Sequence, residues 1–327
     1  MPLLVQIPHQ AYAKAPDDLR ARLHHEVNVR WGDPEAESSK YQVLVHGRPS
    51  LKQLEASPAL HTLVIPFAGI PAETRQMVID HFPDLKVYNL HHNATATAEM
   101  AIALLLAVAK NVIPADRALR SHDWRVRYQP NANILLSGRR ALVLGYGAVG
   151  STVANMSRAL GMRVDAVRRT ADRMEEHKRV KIYPSSELDR LLPEADVVFV
   201  TLPLTPSTQG LINADRLACM SRDTLLVNVA RGAIVEEKPL FEALRTRTIA
   251  GAGLDVWYRY PEDEECRHAT APAEYPFHEL DNVVMSPHVA GGSQQNEQLR
   301  LDHLASLLNE LVRQGSAPNQ VDIYAGY

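Results

Sequence analysis

Residues 141–150 read ALVLGYGAVG, an apolar run of strand character that leads directly into three glycines and a helical pattern. Gly145, Gly147 and Gly150 have the spacing G-x-G-x-x-G, in which glycine permits a tight turn, close approach of a pyrophosphate and close packing of the helix on the sheet. The amino end of that helix supplies N–H donors and a positive dipole. A purely structural turn is the alternative. Because strand, turn, helix and a further strand follow in order, the segment predicts a dinucleotide-binding site.

Short runs rich in β-branched residues alternate with helical stretches along the chain, a pattern that predicts mainly parallel sheets covered on both faces. A first series of predicted strands occupies residues 3–7, 41–47, 61–67 and 85–90. A second series forms one complete doubly wound domain, with predicted strands at residues 141–145, 162–167, 196–200, 224–229, 249–256 and 282–286. Helical patterns over residues 96–112 and 294–315 lead into and out of it. The predicted domains are therefore residues 1–95 with 294–327, and residues 96–293.

Composition narrows the class of protein. The 327 residues are 46% hydrophobic, which is enough for a buried core in each domain. The net charge of −3 gives no overall positive potential to attract nucleic acid or an anionic membrane, although local basic patches are allowed. Two cysteines, Cys219 and Cys266, are too few for a disulfide framework and favour a reducing compartment. The first ten residues do not have a secretory pattern, and the longest apolar run, 100–109, is too short to span a bilayer. These features predict a cytoplasmic protein.

The residues after the second strand of the glycine-motif domain bear on the choice of cofactor. An NAD site usually places Asp or Glu about 20 residues beyond the glycines to hold the ribose hydroxyls. This chain has Arg168, Arg169 and Thr170 there. A guanidinium can bind a 2′-phosphate with charge-assisted hydrogen bonds, so we expect NADP(H) in preference to NAD(H). The alternative is that the two arginines form an ordinary solvated surface.

Three polar residues follow predicted strands of the same domain: Arg231, Asp255 and His288. In an open α/β sheet the carboxyl ends of the strands line the ligand crevice, so these side chains can converge although they are distant in sequence. Each also has a structural interpretation, as a surface ion pair, a turn cap and a loop residue. Beside a nicotinamide site, the three together favour a catalytic role.

Five motifs occur in a characteristic order. After GYGAVG come TLPLTPSTQGLIN (201–213), VNVARGAIV (227–235), GAGLDV (251–256) and SPHVAGG (286–292). This order resembles the D-isomer-specific 2-hydroxyacid dehydrogenases. The resemblance covers the cofactor domain and extends more weakly to the first domain through VIPFAGIP (64–71). It implies a Rossmann-type cofactor domain inserted in a flavodoxin-like substrate domain.

The resemblance also assigns roles to residues. It implies that Arg231 binds the substrate carboxylate, that His288 is the acid/base, and that Asp255 fixes the nicotinamide side of the cofactor. The backbone amides of Ala68 and Gly69 would also donate hydrogen bonds to the substrate carboxylate. Further cofactor contacts implied are Tyr146, Ala148 and Val149 over the phosphates, Pro203 and Thr208 along the cofactor, and Ala230 near the nicotinamide. The family further suggests a homodimer joined through the cofactor domains. No metal is needed.

One position departs from the family. The glutamate that normally partners the histidine is replaced by Tyr260, immediately before Pro261. A phenol is neutral at pH 7, so it can orient the imidazole but not stabilise its protonated form. An acid from residues 262–265 folding back to supply the charge is one alternative.

We expect an NADP-dependent reductase of small 2-keto acids such as glyoxylate or hydroxypyruvate. The alternative is a nicotinamide-sensing regulatory or binding protein with little turnover.

Overall fold

The structure is a computed structural model that describes residues 2–8, 16–33, 40–130 and 133–326. Contacts within the chain divide it into two compact units. The divided unit consists of Met1–Asn93 and Ser293–Tyr327, and the inserted unit is Ala94–Gly292. The domain boundaries expected from the sequence, after residues 95 and 293, stay a prediction.

The divided unit contains a five-stranded parallel sheet in the order β2-β1-β3-β4-β5, the doubly wound order seen in flavodoxin-like folds. Its strands are β1 (Leu3–Ile7), β2 (Val27–Trp31), β3 (Val43–Val45), β4 (Thr62–Ile65) and β5 (Lys86–Asn89). Its helices are α1 (Pro16–Arg20), α2 (Leu51–Glu55), α3 (Ala72–His81) and the long α11 (Asn296–Gln314), which ends at Gly315 with φ +69°.

The inserted unit contains an eight-stranded sheet in the order β13-β12-β11-β10-β6-β7-β9-β8, in which only β8 is antiparallel to its neighbour. The strands are β6 (Arg140–Leu144), β7 (Arg163–Val167), β8 (Glu175–His177), β9 (Val180–Tyr183), β10 (Val197–Val200), β11 (Leu225–Asn228), β12 (Gly251–Leu254) and β13 (Val283–Met285). The helices are α4 (Ala94–Ala109), α5 (Val112–Arg120), α6 (Arg125–Tyr128), α7 (Ala148–Ala159), α8 (Leu188–Leu191), α9 (Ala214–Cys219) and α10 (Glu237–Arg245). The strand order reverses direction between β6 and β10, as in Rossmann folds.

The core of the inserted unit explains two glycines of the GAGLDV motif. Every residue of the central strands β10 and β11 is buried, as expected for parallel strands covered on both faces. Helix α4 packs on β11 and β12. A Cβ added to Gly253 would lie 2.7 Å from Leu104 Cβ, and one added to Gly251 would lie 2.9 Å from Val108 Cγ2. The glycines therefore let α4 approach the sheet closely.

The predicted α/β class and its parallel sheets are confirmed, but two features were not anticipated. Strand β2 and the hairpin of β8 and β9 are absent from the expected strands. The sequence EEH of β8 carries no apolar pattern, whereas VNVRW of β2 and VKIY of β9 alternate apolar and polar residues and were overlooked. Among the described helices, none is by itself long and apolar enough to cross a bilayer. The bent pair of α4 and α5 meets that criterion together, by length and composition only, with 64° between the helices.

Candidate active site

Each of the three glycines after β6 has a different structural role. Gly145 has φ +96°, and a Cβ there would lie 3.1 Å from the backbone of Thr201. A Cβ at Gly150 would lie 1.8 Å from the carbonyl oxygen of Gly145. Among the described residues, a Cβ at Gly147 would meet no atom within 4 Å, and both Gly147 and Ala148 are exposed where α7 begins. The first and third glycines therefore serve the loop's packing, whereas the second leaves bare backbone facing open space, which suits a pyrophosphate.

Thr201, which the sequence analysis did not single out, connects this loop to the neighbouring strand. Its hydroxyl lies 2.9 Å from the carbonyl oxygen of Leu144 and 2.8 Å from that of Gly145. Thr201 directly follows β10, so the bonds cross the point where the strand order reverses. A polar residue immediately after the buried run VVFV was the available signal.

The predicted 2′-phosphate residues follow β7. The Arg168 guanidinium forms an ion pair with the carboxylate of Glu175 on β8, and its backbone N–H donates to the carbonyl of Tyr183 at 2.9 Å. Arg169 and Thr170 come next and are exposed. The β8–β9 hairpin therefore shapes this part of the crevice, and because the hairpin was not predicted, the role of Glu175 was missed.

Tyr146 and Val149, both predicted phosphate-side residues, are half-buried beside the glycine turn. The Tyr146 hydroxyl lies 3.4 Å from Nδ1 of His177, the last residue of β8, and the two rings meet edge to face. The hairpin thus contacts the glycine loop directly as well as the arginine after β7.

Two further predicted cofactor residues lie in the loop after β10. The Thr208 hydroxyl donates to the carbonyl of Pro203 at 2.6 Å and accepts the backbone N–H of Thr205 at 2.8 Å. Thr208 is buried. These bonds close the loop on itself, so Thr208 holds the backbone around Pro203 in place.

Arg231 lies in a turn that Asn228 braces. The Asn228 side chain donates to the carbonyl of Arg231 at 3.0 Å and accepts the N–H of Ala230 at 3.0 Å. The exposed Arg231 guanidinium donates to the carbonyl of Ala230 at 2.6 Å. A Cβ at Gly232 would lie 2.3 Å from the carbonyl oxygen of Trp257, so only glycine fits there. Asn228, overlooked in the sequence, positions the cation at the end of β11.

Asp255 is completely buried after β12, and its carboxylate holds the loop that carries His288. It accepts hydrogen bonds from the Ser286 hydroxyl at 2.6 Å and from the backbone N–H groups of Val289 and Ala290, each at 3.0 Å. These bonds lie on both sides of His288. The role visible in the structure is therefore to position His288; a direct contact with the nicotinamide stays a prediction of the resemblance.

His288 has φ +59°, a left-handed conformation that is uncommon for residues other than glycine, although histidine adopts it more often than most. Such a conformation persists where surrounding bonds impose it, here those of Asp255. Partial loss of solvation and, secondly, the positive charge of Arg231 lower the pKa of His288, while the carboxylate of Asp255 opposes the shift. The lowered pKa favours the neutral imidazole at pH 7.

Tyr260 packs against this histidine. The centroids of the two rings are 5.4 Å apart with 55° between their planes. The phenol oxygen accepts the backbone N–H of Trp257 at 3.1 Å, and the Trp257 indole N–H donates to the carbonyl of Ser286 at 2.8 Å. Tyr260 therefore supports the imidazole by ring contact, whereas the predicted hydrogen bond from its hydroxyl to His288 stays a prediction.

Two members of the acidic run after Pro261 bond within their own turn. Asp263 accepts the backbone N–H of Cys266 at 2.8 Å, a bond that lowers the pKa of this exposed carboxyl. Glu264 forms an ion pair with Arg267 at 2.5 Å. These contacts stabilise an exposed turn, and they occupy two of the acids considered as partners of His288.

The divided unit carries the other predicted substrate residues. Ala68 and Gly69 follow β4, and Gly69 has φ +81°. The preceding Phe67 ring lies over Gly47, where a Cβ would be 2.4 Å from the ring. His92, which follows β5, is only 6% exposed, and burial followed by the charge of Arg300 lowers its pKa to about 4.

One group of potential metal ligands was not noticed in the sequence. Donor atoms of His24, His25 and Glu26 lie within 4.8 Å of one another at the surface of the divided unit. This group of His24, His25 and Glu26 lies in a different unit from Arg231 and His288, and the chemistry of Arg231 and His288 does not require a metal ion.

The inserted unit therefore defines a class of protein: a Rossmann-type dinucleotide-binding domain with an arginine and a positioned histidine at its carboxyl edge. Residues 102–290 match the model for the D-isomer specific 2-hydroxyacid dehydrogenase, NAD binding domain. The chain belongs to the D-isomer-specific 2-hydroxyacid dehydrogenase family, which confirms the resemblance seen in the motifs.

Named relatives agree with this assignment. A glyoxylate reductase of Korarchaeum cryptofilum is 35% identical over 231 residues, which are 69% of this chain and 65% of the relative. A glycerate dehydrogenase of Methylorubrum extorquens is 30% identical over 73% of this chain and 72% of the relative. A crystal structure of a D-isomer specific 2-hydroxyacid dehydrogenase from Xanthobacter autotrophicus Py2, in complex with NADPH and MES, superposes with TM-score 0.77 at 26% identity and covers 99% of both chains.

Proposed function

We propose that this protein is an NADP(H)-dependent reductase of small 2-keto acids, with glyoxylate and hydroxypyruvate as the leading candidates. The observation that carries the proposal is the placement of Arg231 after β11 and His288 after β13, the strands on either side of β12. Both are braced from within the same domain, by Asn228 and Asp255. The relatives named glyoxylate reductase and glycerate dehydrogenase support this substrate class.

The chemistry follows from the side chains. Arg231 presents a planar fork that binds a carboxylate through two hydrogen bonds, which holds the keto carbon in one orientation. Bound NADPH would supply the hydride. His288 donates a proton to the oxygen that becomes the hydroxyl and takes it back in the oxidation direction. The backbone amides of Ala68 and Gly69 are, by family resemblance, a second grip on the carboxylate.

The cofactor assignment rests on two observations. The exposed backbone of Gly147 and Ala148 leaves room for a pyrophosphate at the start of α7. Arg168, Arg169 and Thr170 follow β7 where an NAD site would place an acid, which favours NADP(H). Glu175 pairs with Arg168, so a 2′-phosphate has to compete with this carboxylate for the guanidinium.

A nicotinamide-sensing binding protein is the second candidate function, and one observation favours it. Tyr260 replaces the expected carboxylate beside His288, and the pKa of His288 is lowered. Little of the histidine is then protonated at neutral pH, which slows proton donation. The retained pair of Arg231 and His288 favours turnover.

We also infer a homodimer formed through the inserted unit. Helices α5 and α6 and the segment between them expose large apolar side chains, among them Leu119 at 50%, Trp124 at 60% and Val126 at 47%. Exposed apolar clusters of this kind mark contact surfaces, and a second copy of the chain is the occupant that the family resemblance suggests. Light scattering should give twice the chain mass, and Trp124→Glu should give the monomer mass.

The cytoplasmic location, without a nucleic-acid or membrane partner, stays a prediction.

The central experiment follows NADPH absorbance with a panel of 2-keto acids. We expect turnover with glyoxylate or hydroxypyruvate, a fall of about 10²- to 10⁴-fold in kcat for His288→Asn, and a large fall in kcat/KM for Arg231→Gln. Arg222→Gln, a change at an exposed cation, is the control. NADPH binding without turnover of any acid would support the sensing function, and an unchanged rate in His288→Asn would refute the mechanism.

A further inference from the structure

A second concave site lies in the inserted unit, at the edge of the sheet opposite the glycine loop. It is a cavity of about 560 Å³, a volume typical of small-molecule sites. Arg140 and Arg163 are the first residues of β6 and β7, and Lys181 lies near the start of β9. The predicted phosphate-binding residues follow the carboxyl ends of β6 and β7, and Arg231 and His288 follow β11 and β13. No residue of the cavity lining is among the cofactor or catalytic residues assigned above.

The lining is strongly basic. It contains six cations and two carboxylates, an excess of four positive charges in a chain whose net charge is −3. Both carboxylates pair with the same cation, since Arg140 lies 3.6 Å from Asp165 and also bonds Glu194. Among the described residues, no carboxylate lies within 4.0 Å of the cationic groups of Arg179 or Lys181. Arg179 thus forms no ion pair with a described carboxylate, whereas Lys181 lies opposite Asp165 on β7 and Glu176 on β8 in the sheet register.

Two further arginines of the lining donate to backbone carbonyl groups, which orient a guanidinium without cancelling its charge. Arg158 donates to the carbonyl of Lys178 at 2.8 Å, and Arg163 donates to that of Gly138 at 3.3 Å. These bonds hold the cations in place before any ligand arrives. A guanidinium held in this way loses less conformational freedom on binding an anion.

The turn that carries Arg179 has an unusual sequence. Lys178 and Arg179 form the two-residue connection of the β8–β9 hairpin, and both have positive φ, 49° and 63°. This turn geometry normally selects Asn-Gly or Asp-Gly, because side chains longer than asparagine are disfavoured at positive φ. Two long cations in these positions are a local conflict of the kind found at functional sites.

We propose that this basic cavity binds a small polyanion with two or more phosphate groups. A pyrophosphate group carries about three negative charges at neutral pH, close to the excess of positive charge in the lining. Arg179 and Lys181 supply positive charges that form no ion pair within 4.0 Å among the described residues, and Arg158 and Arg163 supply oriented guanidinium groups. The proposal does not depend on the activity proposed above.

The test is calorimetric titration of inorganic pyrophosphate into the full chain saturated with NADP⁺. We expect saturable binding of one pyrophosphate per chain, weakened about tenfold or more in the double variant Arg179→Asn with Lys181→Gln. Arg222→Asn removes an exposed cation just before β11, at the same edge of the sheet but outside the cavity, and should leave the affinity unchanged. Arg179→Asn alone should raise Tm by about 2 °C, since asparagine tolerates positive φ.

Because the β8–β9 hairpin contacts the glycine loop through His177 and Tyr146, the affinity for NADP⁺ is measured in each variant, and an unchanged value assigns a loss of pyrophosphate binding to the cavity. Equal affinity in the double variant and the unmodified chain would overturn the proposal, as would the absence of saturable binding. A rise in Tm together with a loss of pyrophosphate affinity would support it, because this result shows that the turn sequence serves binding at the expense of stability.

Discussion

The loop that carries His288 and the loop that carries Arg168 are held in opposite ways. A fully buried carboxylate, Asp255, anchors the His288 loop through three hydrogen bonds. An ion pair with Glu175 on a half-exposed edge hairpin holds the Arg168 side chain. Hydrogen bonds to a buried charge contribute about 1.5–3 kcal/mol each, whereas a surface ion pair contributes about 0–1 kcal/mol. The position of His288 is thus held rigidly, whereas the contacts of Arg168 are weak enough for a single substitution to change them.

The strongest test of the rigid loop is Asp255→Asn, which keeps the shape but turns one oxygen acceptor into a donor that faces other donors. We expect kcat to fall by about 10²-fold or more, because all three hydrogen bonds lose their charged acceptor and the amide nitrogen cannot accept at least one of them. The basic limb of the reduction profile should also move to lower pH, because no carboxylate then opposes the lowering of the pKa of His288.

Ser286→Ala is the matched control, since it removes one of the three bonds and keeps the charge. The pH dependence of kcat in this variant should match that of the unmodified chain. Identical pH profiles for Asp255→Asn and Ser286→Ala would show that Asp255 acts through packing alone.

Arg168→Gln tests the adjustable loop. We expect kcat/KM for NADPH to fall about 10- to 100-fold, because a charge-assisted contact with the 2′-phosphate is lost, while the value for NADH changes little. Arg173→Gln, at an exposed arginine on the same connection, is the control and should alter neither value. A clear preference of the unmodified chain for NADH would contradict the NADP(H) assignment.

Tyr260→Glu restores a carboxylate beside the rigid loop. Because reduction requires the protonated imidazole, and a carboxylate raises its pKa, the basic limb should move to higher pH by about one unit. Tyr260→Phe keeps the ring that packs on His288 and should leave the limb in place. Steady-state reduction rates measured across pH give the position of the basic limb in both variants. If the basic limb does not move in Tyr260→Glu, residue 260 does not control the pKa of His288.

Glu175→Gln should have the smallest effect, because the ion pair that it breaks is exposed. Releasing Arg168 from its carboxylate should raise the ratio of kcat/KM for NADPH over NADH by about two- to fivefold. Glu176→Gln alters the neighbouring exposed acid, which faces the other side of the strand, and is the control. A lower ratio in Glu175→Gln would mean that Glu175 orients the arginine for the phosphate instead of competing with it.

Much of this molecule was predictable because the signals are local. The glycine spacing, the apolar strands of the two series and the positions of Arg231 and His288 after strands can all be read within a few residues, and the family and fold assignments that followed are confirmed. The bracing residues Asn228 and Thr201 were within reach, since each follows or ends a buried strand. Glu175 was not, because the strand that carries it has no apolar pattern.

The sequence by itself determined the two series of apolar strands, the dinucleotide motif and the residues available for chemistry, because these depend on backbone preferences and periodicity. Only the tertiary structure decided what each side chain contacts. It placed Asp255 within hydrogen-bonding distance of residues 34 and 35 positions away, paired Arg168 with Glu175, and gathered cations from three strands and two helices into one basic cavity. Such contacts join segments brought together by strand pairing and burial, and no local pattern in the chain encodes their distances.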